Sequence, residues 1–393
     1  MSENPVQRIV AHAYPWDVLG DPQFVERARE LGVREIALAA SYHSTRAATP
    51  LHPRHKVVDA HHAALYRPLR DEAWTGLPIT ARTATWAGSE DAFGDAARVL
   101  VAAGIDVHAW IVLSHSTILG HAHPGATVVN CFGDRYPYAL APGHPDIIAY
   151  ARTLAAEAVR GVELRGVSIE ACGQLGIAHV GPHEKTDGAY PGIGDTLMSI
   201  DCAPRQLDAW SERGVDAENV VSKLRDGVDA LAGGSVDPGS TIEDVLSSEE
   251  ADAVLATRHR DADHLRREVL TAVRLEAPSA RVTLHGHPDP WKTGPSPALT
   301  DSAVDQVDAV LVSAWPSTAE TVSVIERTRA KVGGRVAVGA YVSVLPPKKL
   351  DEIGDHVAAA VGAGADELHL YHLGLVNTPQ LDALGSIIAG YSR

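Results

Sequence analysis

The chain has little cysteine and no long hydrophobic run. Its three cysteines, Cys131, Cys172 and Cys202, form neither a CxxC pair nor an even-numbered set, so we expect reduced thiols and no disulfide framework. No stretch approaches the ~18 consecutive apolar residues of a membrane-spanning helix. The first residues, MSENPVQRIVAHAYPW, show no basic segment followed by an apolar core. We therefore expect a cytoplasmic protein that does not associate with membranes.

The chain also lacks an excess of positive charge. It carries 34 Lys and Arg residues against 50 Asp and Glu residues, which gives a formal net charge of −16. Such a charge would repel the phosphates of a nucleic acid, so nucleic acid is not an expected partner. The composition, 45% hydrophobic and 21% charged, is that of a globular protein. It leaves the oligomeric state undetermined.

Eight β-type segments alternate with amphipathic helical segments along the 393 residues. The predicted strands are 8–14, 34–41, 106–114, 166–171, 281–287, 308–315, 335–344 and 366–374. This order predicts an α/β fold of the (β/α)8, or TIM barrel, type in a single domain spanning 1–393. A doubly wound sheet is the alternative, but no GxGxxG motif follows the first strand. Because a barrel needs roughly 250 residues, we place the surplus in insertions at about 42–88, 115–143 and 172–280.

The fourth predicted strand, GVSIEA, ends on a carboxylate that is the leading catalytic candidate. Side chains alternate along a strand, so Ser168 and Glu170 face the barrel interior if Val167 and Ile169 face the helices. Glu170 then lies at the carboxyl end of the barrel, where barrel enzymes carry out their chemistry. Carboxylates are rarely buried without a partner or a function. A structural pair with an arginine or a histidine is the simpler alternative.

Aromatic and polar residues also cluster near the predicted strand ends. The same alternation places His12, Tyr14, His285, His287, Trp315, Tyr341, His369 and Tyr371 in the interior, and Trp16, His43, His115, His183, Glu184 and Trp291 follow strands. Aromatic rings suit the apolar faces of sugars, while polar groups bind hydroxyls, so these residues, except His369, are predicted to bind substrate. For any one histidine a structural role is the simpler interpretation. Trp110, inside the third strand, is assigned to core packing.

Residues 106–185 resemble part of the glycoside-hydrolase-like (β/α)8 barrels of bacteria. DVHAWIVLSHS is similar to their third strand, and HAHPGATVVNCFGDRYPYALAPGHPDIIAYARTLAAEAVRG is similar to the loop and helix that follow. GVSIEACGQLG resembles their fourth strand, which commonly ends on a catalytic carboxylate. The resemblance implies a catalytic role for Glu170 and loop contacts to substrate from Asn130 and Asp134. It names no sugar, no linkage and no stereochemical outcome.

The chain departs from this pattern because no acid stands at the ends of strands six, seven and eight. Glycoside cleavage usually needs two carboxylates. Asp289, in HGHPDPW, is the best second candidate by position, followed by Glu184 and Asp187. Substrate assistance or a tyrosine nucleophile would remove the need for a second acid, and Tyr341 is placed for that role. The sequence thus predicts a glycoside hydrolase acting on a small or oligomeric carbohydrate, without a cofactor or a catalytic metal.

Two other functions fit the same barrel. The first is a metal-dependent hydrolase or isomerase, because the pairs His285-x-His287 and His369-x-x-His372 have the spacing of metal ligands and Glu170 could complete a site. Against it, the first pair lies on strand five and the chain has no HExxH motif. The second is a non-catalytic carbohydrate-binding barrel. It would keep the aromatic residues and explain the missing second carboxylate.

Overall fold

The computed structural model of the chain describes residues 6–179, 184–186 and 188–392. Eight parallel strands form a barrel: β1 (Arg8–Ala13), β2 (Glu35–Tyr42), β3 (Asp106–Val112), β4 (Gly166–Glu170), β5 (Arg281–His285), β6 (Ala309–Ser313), β7 (Ala337–Ser343) and β8 (Glu367–Tyr371). Each strand pairs with its neighbours in sequence, and β8 pairs with β1 to close the barrel. The predicted (β/α)8 barrel is therefore confirmed, and each predicted strand segment overlaps a barrel strand.

Helices follow the strands along the chain. They are α1 (Pro15–Gly20), α2 (Phe24–Glu30), α3 (Asp71–Trp74), α4 (Ala92–Ala102), α5 (Thr117–Ala122), α6 (Pro145–Val159), α7 (Ile193–Met198), α8 (Pro204–Glu212), α9 (Ala217–Ala232), α10 (Ser248–Glu276), α11 (Thr318–Val332), α12 (Ile353–Gly362) and α13 (Thr378–Tyr391). Reciprocal side-chain caps precede α10, α11 and α13 at Ser247, Ser317 and Asn377. These caps satisfy amide groups that have no partner within the helix.

The longest connections leave the carboxyl ends of β2, β3 and β4. After β2, the segments Thr45–Ala48 and Val57–Ala60 form an antiparallel hairpin. After β3, a second hairpin joins Thr127–Val129 to Arg135–Leu140. Helices α7 to α10 lie between β4 and β5. Since all strands run in the same direction, these connections begin at the end of the barrel where Glu170 lies.

Charged and imidazole side chains form an ion network at the amino-terminal end of the barrel interior. Arg8 pairs with Glu35, and His108 Nε2 lies 2.8 Å from a Glu35 carboxylate oxygen. Arg281 donates to Glu367 Oε1 at 2.6 Å, and Arg8 Nε lies 3.8 Å from the same oxygen. Burial raises the pKa of Glu35, but the hydrogen bonds of His108 and Arg8 outweigh it and lower that pKa to about 2. Opposite charges alternate in the network, as buried ions require.

The apolar side chains of the strands and helices form one continuous buried cluster. Val167 and Ile169 of β4 belong to it and have no solvent exposure. None of the helices in residues 6–179, 184–186 and 188–392 is long and apolar enough to span a bilayer.

We predict that Glu367→Gln lowers the free energy of unfolding by about 3 kcal/mol, because removal of one partner leaves a buried charge uncompensated. Glu352→Gln is the matched control, since its pair with Lys349 is solvent-exposed and such pairs contribute about 0–1 kcal/mol. Urea unfolding of both variants measures the difference. Equal destabilisation by the two substitutions would contradict a structural role for the network.

Candidate active site

Glu170 is the last residue of β4 and points into the barrel. The indole nitrogen of Trp110 donates a hydrogen bond to its Oε2 at 2.7 Å. Ser168, on the same face of β4, has its hydroxyl 3.0 Å from His285 Nε2. The alternation of side chains along β4 is therefore the expected one, and it delivers Glu170 to the carboxyl end of the barrel.

Burial determines the protonation of Glu170. Its side chain is nearly enclosed, with the residue 6% exposed. Burial raises the pKa of the carboxyl group to about 7, and the hydrogen bond from Trp110 opposes the rise. Within the described ranges no lysine or arginine pairs with it; the nearest ionisable nitrogen is His285 Nδ1, 3.8 Å away. Burial also lowers the pKa of His285 to about 3, so this imidazole is neutral and does not keep Glu170 ionised.

Aromatic rings surround Glu170 from several strands. The His12 ring lies 4.8 Å from Trp110 and 4.6 Å from Tyr341 between ring centroids. Trp315 lies 4.9 Å from Tyr371 and is 44% exposed, so its ring is available to solvent at the mouth. Such a surface offers apolar faces for stacking beside a single ionisable acid.

The phenols of the site are held in the neutral form. Burial, followed by the charges of neighbouring groups, raises the pKa of Tyr14, Tyr42 and Tyr341 well above 10. The hydroxyl oxygens of Tyr14 and Tyr371 lie 3.4 Å apart, and the Tyr341 hydroxyl lies 3.3 Å from His12 Nδ1. Neutral phenols donate and accept hydrogen bonds. They are therefore suited to bind hydroxyl groups.

Among the buried imidazole nitrogens that have no hydrogen-bond partner within the described protein, four lie on or just after the barrel strands: His12 Nε2, His285 Nδ1, His369 Nδ1 and His372 Nε2. Buried polar atoms normally have a partner. All four histidines lie at β1, β5 or β8, and the rings of His12, His285 and His372 are neutral because burial lowers their pKa values. These nitrogens are therefore unpaired polar atoms in the barrel interior.

The backbone turns abruptly after Glu170. Ala171 has a φ of 55°, in the left-handed region that non-glycine residues rarely adopt. Its amide donates to the carbonyl of Pro295 at 2.9 Å, and its carbonyl accepts from the amide of Ser114 at 3.3 Å. An L-residue in this conformation costs about 1–3 kcal/mol. Hydrogen bonds to the loops that carry Ser114 and Pro295 keep Ala171 in this strained conformation, next to the Glu170 carboxyl group.

A second polar cluster, which we call the histidine cluster, comprises His43, His115, His179 and Glu184. The Nε2 atoms of His115 and His179 are 2.9 Å apart, and His179 Nδ1 lies 3.1 Å from Glu184 Oε1. The ring centroid of His43 lies 4.5 Å from that of His115. Tyr42 stacks on His43 at 4.2 Å and meets Trp110 at 4.6 Å, which connects the histidine cluster to the surroundings of Glu170.

Asp289 and its neighbours form a turn after β5. The backbone amide of Asp289 donates to His287 Nδ1 at 3.1 Å, and Asp289 Oδ1 accepts from the amide of Trp291 at 3.0 Å. The guanidinium of Arg258 lies 5.6 Å from the centre of the Trp291 ring. One oxygen of Asp289 is thus occupied by the local turn, and a catalytic role for this residue stays a prediction.

The remaining predicted contacts lie elsewhere. Asn130 accepts from the amides of Phe132 and Asp134 and donates to Asp134 Oδ2, so both predicted residues shape the tip of the hairpin after β3. Trp16 stacks on Tyr14 and also borders a side cavity of about 360 Å³. His183 and Asp187 lie outside the described residues.

Sequence reasoning assigned Trp110 to packing alone and missed Tyr42. Trp110 is indeed buried, but it also provides the hydrogen-bond donor to Glu170. Its position in β3, two residues after the inward-facing His108, is the signal that could have revealed it. Tyr42 follows a register shift between Ala39 and Ser41, so simple alternation does not place it.

The histidine pairs with metal-ligand spacing do not converge. His285 faces Ser168, whereas His287 accepts from a backbone amide. His369 Nε2 lies 3.3 Å from Glu367, and His372 Nδ1 accepts from the amide of Gly374. Across residues 6–179, 184–186 and 188–392, no group of three or more His, Cys, Asp or Glu residues is arranged to hold a metal ion. The described geometry does not fit the predicted metal-binding alternative.

Comparison with known proteins gives a match in structure. The chain matches no protein-family model and no curated protein in sequence. The glycoside hydrolase domain of PgaB (BpsB) from Bordetella bronchiseptica aligns over 98% of this chain and 99% of its own, at 16% identity and a TM-score of 0.57. The catalytic domain of beta-amylase from Paenibacillus polymyxa aligns over 98% of both chains, at 11% identity and a TM-score of 0.59. A beta-galactosidase from the psychrophilic Marinomonas ef1 aligns over 98% of this chain and 59% of its own, at 9% identity and a TM-score of 0.58.

The chain has the fold of these glycoside hydrolase barrels. The expectation drawn from residues 106–185 is therefore confirmed for the fold. At identities of 9% to 16%, the likeness concerns the fold alone, and one barrel fold hosts many activities. Activity has to be argued from the residues of the site.

We predict that stability falls as the pH is lowered from 6.5 towards 3. His285 and His372 have folded pKa values of about 3 against about 6.5 unfolded, so the unfolded chain binds more protons in that window. Each of these two buried histidines lowers the free energy of unfolding by about 1.4 kcal/mol for each pH unit in this window. Glu170 and Asp17, whose pKa values burial raises to about 7, act in the opposite direction below pH 7 and offset these two histidines. His43 and His287, whose pKa values burial lowers to about 4, leave a net loss of stability between pH 6.5 and 4.5.

Urea unfolding between pH 7.5 and 4.5 measures this dependence. His372→Asn should flatten the acidic part of the profile, whereas replacing the exposed His121 with Asn should leave it unchanged. Wild-type stability that stays constant or rises between pH 6 and 4.5 would contradict the neutral state of the buried histidines.

Proposed function

We propose that the protein hydrolyses a glycosidic bond of a small or oligomeric carbohydrate, with Glu170 as the proton donor. The observation that carries the proposal is the state of Glu170. It is a buried carboxyl group at the carboxyl end of β4, with a pKa near 7 and a fixed donor at 2.7 Å.

A carboxyl group with this pKa suits general acid catalysis. It is about half protonated near neutral pH, and it becomes a stable carboxylate after giving up its proton to the glycosidic oxygen. The Trp110 N–H holds the carboxyl group in position and stabilises the carboxylate that forms. A structural carboxylate would instead be expected to have a cationic partner, as Glu367 has in Arg281.

The surroundings of Glu170 support a carbohydrate as the substrate. Trp315 offers an exposed aromatic face, and the neutral phenols and imidazoles offer both donors and acceptors for hydroxyl groups. The described residues around Glu170 place no Arg or Lys against the carboxyl group, which favours a neutral substrate over an anionic one. The fold that the chain shares with glycoside hydrolases supports this chemistry by analogy.

The candidates for the second catalytic role, Asp289 and Tyr341, are both constrained in the described structure. Asp289 is tied to a turn by the amide of Trp291. Tyr341 is held neutral by burial and by the nearby Glu170, which weakens it as a nucleophile. The proposal therefore rests on Glu170 for one role and leaves the other to a different group.

We predict that Glu170→Gln abolishes nearly all turnover while the protein folds normally. Glutamine keeps the size and the hydrogen bond with Trp110 but cannot supply a proton, and general acid assistance is worth about 10²–10⁴-fold. The measurement is release of 4-nitrophenol from a panel of nitrophenyl glycosides that covers α and β linkages of hexoses, deoxyhexoses and hexosamines.

Glu163→Gln is the matched control, because Glu163 is exposed just before β4. A Glu170→Gln variant within about tenfold of the wild type would assign Glu170 to binding or structure. Binding of a sugar by the wild type without any turnover would favour the non-catalytic carbohydrate-binding barrel.

We predict that Trp110→Phe moves the basic limb of the pH profile of kcat/KM to higher pH. The indole hydrogen bond lowers the pKa of Glu170, so its loss raises that pKa and keeps the acid protonated at higher pH. Comparison of the profiles of wild type and variant on one nitrophenyl glycoside measures the shift. A shift of the acidic limb to higher pH, with the basic limb unmoved, would show that the reaction needs Glu170 as a carboxylate.

A further inference from the structure

The histidine cluster has a hydrogen-bond order that its geometry imposes. A carboxylate only accepts hydrogen bonds, so the 3.1 Å contact between Glu184 Oε1 and His179 Nδ1 places a proton on His179 Nδ1. A neutral imidazole with a proton on Nδ1 has a lone pair on Nε2. His115 Nε2, 2.9 Å from that lone pair, must then be the donor. The free lone pair of His115 is consequently on Nδ1.

The pairing of β3 with β4 brings the segment that carries His115 next to the segment that carries Glu170. Val112, at the end of β3, is paired with Glu170 in the sheet, and the amide of Leu113 donates to the Glu170 carbonyl at 3.1 Å. His115 follows two residues later and is partly exposed. No hydrogen bond or ion pair joins His115 to Glu170 in the described structure, so the two groups do not neutralise each other.

The environment keeps His115 neutral and oriented. Burial and the neighbouring His43 and His179 lower the pKa of His115 well below 6.5. The Tyr138 ring stacks on His179 at 4.0 Å, and a backbone bridge pairs His115 with Ala139. The titratable groups that face His115 are His43 after β2, Tyr138 in the hairpin after β3, and His179 and Glu184 after β4.

We infer that His115 is the general base of the reaction, and that His179 and Glu184 position and polarise it. This inference rests on the proposed function, since it supplies the second role that no carboxylate beside Glu170 fills. It also explains why a carboxylate, two imidazoles and a stacked phenol from different connections meet at the same end of the barrel.

The proposed reaction is an inverting hydrolysis of the glycosidic bond. Glu170 gives its proton to the glycosidic oxygen as the bond between that oxygen and the anomeric carbon breaks, and the bonding electrons stay on the leaving oxygen. A water oxygen attacks the anomeric carbon from the opposite face and loses a proton to His115 Nδ1. His115 then shares its Nε2 proton with His179, and Glu184 balances the positive charge. One water is consumed and two hydroxyl products form. His115 then releases its extra proton to solvent, and Glu170 takes up a proton from solvent, which restores both groups.

The tautomers can be tested without a substrate. We predict that ¹⁵N NMR of the full-length protein, labelled in the histidine rings, shows His115 protonated at Nε2 and His179 protonated at Nδ1 at neutral pH. His115→Gln and His179→Gln assign the signals, and the exposed His121→Gln serves as the control. A proton on His115 Nδ1 in the resting protein would overturn the inference, because that atom could not accept another.

Kinetics tests the catalytic role once the panel has given a substrate. We predict that His115→Ala loses about 10²–10⁴-fold in kcat, both with 4-nitrophenyl and with the better 2,4-dinitrophenyl leaving group. Glu170→Gln should lose much less with the second leaving group, which needs little protonation. Azide should restore turnover of His115→Ala and form the glycosyl azide of inverted configuration. His121→Ala should retain wild-type rates.

A positioning role of Glu184 has its own signature. Glu184→Gln keeps an acceptor but removes the charge that makes the imidazoles more basic, so the acidic limb of the pH profile of kcat should move to lower pH with KM little changed. A purely structural role would lower activity at all pH values alike.

The outcomes separate the two proposals. Hydrolysis by the wild type with His115→Ala within tenfold, or with retained anomeric configuration, overturns the role of His115 and leaves the role of Glu170 standing. If no glycoside in the panel is hydrolysed, the proposed function fails. The imidazole tautomers still decide whether His115 presents the lone pair on which the inference depends.

Discussion

The structure of the site depends on one hydrogen bond inside the barrel, from the indole of Trp110 to the carboxyl group of Glu170. Burial alone would make the carboxylate form of Glu170 very unfavourable. The indole donor gives that form a partner without adding a positive charge, so it lowers a pKa that burial raises, and the pKa lies at about 7. An arginine in the same place would favour the ionised form of Glu170. At the other end of the barrel, the hydrogen bond with His369 and the charge of Arg281 together lower the pKa of Glu367.

The two ends of the barrel interior therefore differ in their electrostatics. At the amino-terminal end, two carboxylates are paired with arginines and stay charged. At the carboxyl end, the titratable groups are mostly neutral imidazoles and phenols. Ion pairs at the amino-terminal end stabilise the barrel. The neutral groups at the carboxyl end include polar atoms that have no protein partner.

Much of the fold and part of the site could be predicted from sequence for identifiable physical reasons. The eight strands followed from the alternation of apolar segments with helices, and the inward position of Glu170 followed from the two-residue period of a strand. The same rule failed for Tyr42, where a register shift interrupts the period. The contacts of His115, His179 and Glu184 lie in loops, whose paths depend on packing between distant segments and carry no periodic signal. Trp110 was misjudged because a buried ring can both pack and donate.

Gly166, the first residue of β4, fixes where this strand begins. A side chain there would place its first carbon 2.5 Å from His108 Nδ1 and 2.7 Å from the carbonyl oxygen of Arg281, so only glycine fits between the neighbouring strands. A slip of β4 by one position would bring a bulkier residue into that gap. The same slip would turn Glu170 towards the apolar helix layer. The absence of a side chain at Gly166 thus selects the strand pairing that places Glu170, four residues further along, at the carboxyl end of the barrel.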